Sequence, residues 1–117
     1  MPCYGLRNNV KTRLVAAITA TTEPPRVPHY MGLPRELSQA AEPELLPWAR
    51  IVLLEERPDG VFLFRYTSDR TYAGDTWHSS VDRARAQAVY EYADHLGAWQ
   101  TVPENVEDAL TFALSQR

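Results

Sequence analysis

Ile51-Val52-Leu53-Leu54-Glu55-Glu56-Arg57-Pro58-Asp59-Gly60-Val61-Phe62-Leu63-Phe64-Arg65-Tyr66 is the stretch on which the fold turns. Two runs of large apolar and β-branched residues flank Arg57-Pro58-Asp59-Gly60, in which Pro58 presets its own φ and Gly60 tolerates a positive one. Together they predict a β-hairpin. Side chains alternate along a strand, so Phe62, Phe64 and Tyr66 share one face and Val61, Leu63 and Arg65 the other. Both faces are partly apolar, and a sheet built on this hairpin needs cover on both.

Beyond the hairpin, Ser68-Asp69-Arg70 reads as a second turn and Thr71 to His78 as a third strand, with Gly74 marking a bulge. Trp48 to His78 is therefore expected to form a three-stranded antiparallel meander. The hydrophobic period then changes from two to that of a helix. Ser79 and Asp82 resemble a capping box, and the stripe Val81, Ala84, Ala88, Tyr92 and Leu96 predicts a helix over Ser80–Leu96, closed by Gly97. Thr101 and Glu104 around Pro103 repeat the capping pattern and predict a last helix, Pro103–Ser115. The expectation is an α+β domain of order β-β-β-α-α, with both helices on one face of the sheet.

Working back from Trp48, six of the nine prolines fall in residues 24–47, where each removes a backbone donor. That arm reads as extended, with at most a short helix at Arg35 to Glu42. Ahead of it, Val10, Leu14, Ala17 and Ile18 make a helical stripe, while Leu14, Ala16 and Ile18 alternate acceptably as a strand, and both readings stand. The expected organisation is thus a 1–47 N-terminal helix or extended segment with a proline-rich arm, covering the second sheet face or an edge, and a single 48–117 α+β domain.

Length and charge limit the function classes. The chain has 117 residues, 44% of them hydrophobic, which suits one domain with an appendage. Its net charge is -3, spread unevenly: residues 86–117 hold five acids against one base. Such a balance argues against a surface that tracks nucleic-acid phosphates. The β-β-β-α order resembles that of double-stranded-RNA-binding domains, but Asp82, Arg83 and Arg85 stand where that family carries a lysine cluster. Nucleic acid is not an expected partner. Cys3 is the only cysteine, so no intrachain disulfide forms and a reducing, cytoplasmic setting is expected. No apolar run exceeds five residues, far short of the ~20 a membrane span needs, and no membrane role is expected.

No phosphate-binding loop or nucleophile elbow is present, and no cofactor is expected. Glu91 and His95 stand four apart on a predicted helix, a spacing that suits a surface charge pair better than a metal site. The segment Asp75-Thr76-Trp77-His78-Ser79-Ser80 places an acid, an imidazole and hydroxyls at a strand-to-helix junction, where function often sits. One reading is catalytic: a small hydrolase or transferase using His78 with Asp75 and the Ser79 hydroxyl. The leading reading is a non-catalytic protein-binding module, of which an inhibitor or an immunity- or antitoxin-like protein is one form. Its contact residues would be Trp77, Tyr90, Glu91 and Asp94, with Tyr92 facing the sheet, and its partner another protein or a second copy of itself.

Overall fold

The computed structural model describes residues 10–21, 26–31 and 44–115. Cys3 and the short helix expected at Arg35 to Glu42 lie outside these residues. The elements are β1 (Thr12–Ala17), β2 (Tyr30–Met31), β3 (Glu44–Leu45), β4 (Ile51–Arg57), β5 (Gly60–Tyr66), β6 (Tyr72–His78), α1 (Val81–Tyr92), a 3-10 turn (Ala93–His95), β7 (Gln100–Thr101) and α2 (Ala109–Ser115). This is an α+β fold with an antiparallel sheet and two helices. The sheet has five strands in the order β6-β5-β4-β1-β7, where three were expected, and β2 pairs only with β3. A strand also separates the two helices, so the β-β-β-α-α order is corrected as well.

Alternation explains why the segment before residue 48 joins the sheet. Val15 and Ala16 are both buried, on opposite faces, because β1 runs between β4 and β7. A helix would have spent the Val10-Leu14-Ala17-Ile18 stripe on one face. Here Ala17 is exposed, so the strand reading holds. β1 thus belongs to the same sheet as β4, β5 and β6, which follow residue 48.

The same alternation builds two cores. Ala16, Val52, Leu54, Val61 and Leu63 face Ala84, Ala88 and Tyr92 of α1. Val15, Ile51 and Leu53 face Ala109 and Ala113 of α2, together with Val102. The helices thus lie on opposite faces, not on one, and α2 covers the face assigned to the arm. The chain reaches that face by pairing β7 along the free edge of β1, after which Val102 donates its amide to Arg13 O at 2.9 Å.

Local signals explain the element ends. Pro58 and Asp59 form a two-residue turn, and Gly60 follows with φ of 142°. At Gly74 (φ 112°) the register shifts, since Phe64 opposes Asp75 while Tyr66 opposes Tyr72, leaving an extra residue on β6. The expected bulge is therefore present. The cap of α1 is Ser80, whose hydroxyl accepts from the Arg83 amide at 3.1 Å, and not Ser79. The helix ends at Ala93, whose φ is positive, four residues before Gly97. Gly97 instead donates its amide to Ala17 O at 2.8 Å. The last helix starts at residue 109, not 103; before it Val106 N donates to Pro103 O in a turn, and Arg13 holds the carbonyls of Pro103 (2.9 Å) and Val106 (2.5 Å). Asp108 then caps it, accepting from the amides of Leu110 and Thr111. No helix among the described residues is long and apolar enough to cross a membrane.

Candidate functional site

Arg65 occupies a position on β5 that its strand neighbours Val61 and Leu63 fill with apolar groups, and it is fully buried against α1. A guanidinium there needs a carboxylate, and Glu91 supplies it from the helix. Arg65 Nε donates to Glu91 Oε1 at 2.9 Å and Nη2 to Oε2 at 2.5 Å, a bidentate pair. Arg65 Nη1 also donates to Leu63 O, and Nη2 to Thr76 Oγ1 at 3.1 Å. Glu91 accepts further from Gln87 Nε2 at 2.8 Å and lies 2.8 Å from His29 Nε2. Burial alone would raise the Glu91 pKa, but the bonds from His29 and Arg65, the charge of Arg65 and the bond from Gln87 bring it down to about 2. Among the described residues no buried side-chain nitrogen or oxygen is unpartnered.

Thr76 extends this network to His78, whose Nε2 lies 2.7 Å from the Thr76 hydroxyl. Burial and the neighbouring Arg65 charge lower the His78 pKa, with Glu91 acting in the opposite sense. At the other end the network reaches the arm. His29 fits because Gly74 carries no side chain: a Cβ there would stand 3.0 Å from His29 Cβ. Between the arm and the sheet lies a cleft of about 220 Å³, with His29, Glu91 and Tyr92 on its inner wall and Val27, Leu46 and Trp48 on its outer one. Arg50 and His95 also line it.

The residues singled out from sequence fall in three places. Asp75 is exposed and accepts from the Tyr72 hydroxyl at 2.9 Å, whereas His78 lies on the opposite face of β6, half-buried beside Thr76. Ser79 is exposed. The structure does not bring Asp75 and His78 together. Glu91, expected at a contact surface, is 4% exposed and paired with Arg65 inside the fold. Tyr92 faces the sheet and Tyr90 faces out, as the helical period requires. Tyr90 and Asp94 are exposed, but Arg26 of the arm stacks over the Tyr90 ring at 5.4 Å and donates to its carbonyl.

Trp77 is 55% exposed and yet held. Its Nε1 donates to Asp59 O at 3.0 Å, and its indole lies on Gly60 so closely that a Cβ there would meet Nε1 at 1.9 Å. It sits beside Phe62 on the sheet face that carries α2, but α2 packs chiefly on β1 and β4. Phe62, Phe64 and Trp77 thus form an aromatic half-face at the β5–β6 end. Arg57 lies over Phe62 at 4.8 Å and pairs with Glu55 at 2.6 Å. Among the described residues no group of three or more His, Cys, Asp or Glu is placed to hold a metal.

Arg65 and Glu91 were missed from sequence as a pair, although each carried a signal. Arg65 continues the Val61-Leu63 face, and Glu91 stands three and seven residues after Ala88 and Ala84 on the buried stripe. No family model matches the chain, and no curated protein or solved structure matches it either.

Proposed function

We propose that the chain is a protein-binding module whose contact surface is the aromatic half-face around Trp77, and whose partner presents a basic segment. The observation that carries this reading is an exposed tryptophan fixed by a hydrogen bond and a glycine seat. Most exposed side chains lose rotamer freedom on binding, and a preordered indole avoids that loss while offering a large apolar surface. Trp, Tyr and Arg anchors of this kind carry most of the energy in protein interfaces.

Charge argues for the basic partner. The shallow groove beside Trp77 is lined by Glu56, Asp59 and Asp82 against Lys11 and Arg57, and Arg57 is already engaged by Glu55. Asp75 adds a further exposed carboxylate two residues away. An inhibitor of a basic enzyme is one form such a module takes. Tyr90 is the weaker contact candidate, because the chain's own Arg26 already lies on it.

Selection of binders from a display library of random peptides tests the reading, with the purified chain as bait. Lys- and Arg-rich segments should be enriched, and Trp77→Ala should weaken the best of them by about 30-fold, the effect of losing an anchor worth ~2 kcal/mol. Raising the salt should weaken them too. Enrichment of neutral or acidic segments, or a Trp77→Ala variant that stays folded and binds within about twofold of the parent, would overturn it.

A further inference from the structure

The cleft beneath the arm is independent of the aromatic half-face, and its chemistry is different. Ile18, Val27, Leu46, Trp48 and Tyr92 give it apolar walls, and Glu91, Arg50, His29 and His95 give it charged or titratable groups. Glu91 is neutralised from behind by Arg65 and flanked by His29. Arg50 is not neutralised: its Nε donates to Ile18 O at 3.0 Å, and among the described residues nothing accepts from its two terminal nitrogens. The His95 ring likewise has no partner among the described residues, although the backbone of His95 is anchored by Thr19 N at 2.8 Å. Both residues line the same cleft, and their backbone carbonyls accept from the neighbouring amides of Ile18 and Thr19.

We propose that this cleft binds a small monocarboxylic acid with a compact apolar body, its carboxylate taken by the Arg50 guanidinium with His95 beside it. The fork of Arg50, which no described residue engages, matches a carboxylate geometrically, and the pair is stronger where water is partly excluded. The apolar body would lie between Trp48 and Leu46 on one side and Tyr92 on the other. Volume sets its size. An apolar cavity of about 150 Å³ accommodates benzene, so about 220 Å³ admits one ring or a branched short chain together with a carboxylate.

Titration of the full chain with benzoate, followed by two-dimensional amide and indole NMR, tests the assignment, with benzamide as the uncharged isostere. Saturable shifts centred on Thr19, Arg50, Trp48 and Tyr92 are expected, with a Kd of about 1 mM or tighter. Benzoate should bind at least about tenfold more tightly than benzamide, and Arg50→Met should abolish that preference. Because Arg50→Met also removes the bond to Ile18 O, a second variant, Leu46→Trp, fills the cleft from the arm side and should block both compounds. No saturable shift in the parent, shifts centred elsewhere, or equal binding of benzoate and benzamide would overturn the proposal. So would unchanged benzoate binding in a folded Leu46→Trp variant.

Discussion

Glu91→Ala removes a carboxylate that Arg65, Gln87 and His29 all address, and leaves the Arg65 guanidinium buried without a counter-charge. Both side chains of the ion pair are 0% exposed, so no water replaces the lost partner without opening the helix–sheet core. Breaking one side of such a pair is strongly destabilising, by about 3–5 kcal/mol. Arg65 keeps only its bonds to Leu63 O and Thr76, which satisfy protons but not charge. Against a typical domain stability of about 5–15 kcal/mol this is a large share. With a urea m-value of about 2 kcal/mol/M, the unfolding midpoint should fall by about 2 M. The paired control is Arg65→Met with Glu91→Leu, which removes both charges and keeps the volume. It should lie within about 1 kcal/mol of the parent, since the attraction of a buried pair is offset by its desolvation. His29 and Gln87 are part exposed and can turn to water in that variant. Urea unfolding followed by circular dichroism reads all three proteins. A Glu91→Ala midpoint within about 0.5 M of the parent, at unchanged m, would refute the account, because it would mean that Arg65 finds water readily.

Acid should weaken the fold through the same residue. The Glu91 pKa is lowered from 4.5 to about 2, so its contribution is complete above pH 4.5 and is lost as pH falls through about 2; in Glu91→Gln the urea midpoint should vary less over that range. Ser80→Ala should cost about 1 kcal/mol by uncapping α1, whereas Ser79→Ala should stay within about 0.5 kcal/mol, a contrast that unfolding curves measure directly. Gly60→Ala should cost about 1–3 kcal/mol, because φ is 142° there and the new Cβ meets the indole; near-ultraviolet circular dichroism should show Trp77 displaced.

The hairpin, the bulge and the first helix were legible because each rests on contacts close in sequence. Pro58-Asp59-Gly60 specifies its turn by backbone preference alone, and the Val81-Ala84-Ala88-Tyr92 stripe specifies a face by period alone. The placement of β1 was not legible, because six residues that alternate as a strand also spiral as a helix, and only the edges of β4 and β7 decide between them. The two-sided core followed from that placement. Ahead of α2, Arg13 holds carbonyls about ninety residues away, a contact no local pattern encodes. Glu91 was misread for a related reason. An acid near a helix C-terminus ordinarily faces water, and the charge that draws this one inward sits 26 residues earlier, on a strand.

The arm shows how a segment unsuited to a sheet can still build a wall. Its prolines withhold the donors a central strand requires, and β2 and β3 pair over only two residues each. Two discrete hooks hold it to α1, Arg26 on Tyr90 and His29 on Glu91, while the Leu46 amide donates to His29 O at 2.8 Å within the arm itself. Glu91 does not need His29 for charge balance, since Arg65 already meets both carboxylate oxygens, so the hook serves the arm more than the core. Gly74 is the matching concession in the sheet, a bulge with no side chain where the imidazole enters. Val27 and Leu46 of the arm, with Trp48 just after it, line the cleft. Among the described residues, neither apolar cluster of the core includes Val27, Leu46 or Trp48. His29→Ala should therefore alter the cleft more than it lowers the urea midpoint, a contrast that amide NMR and urea unfolding measure.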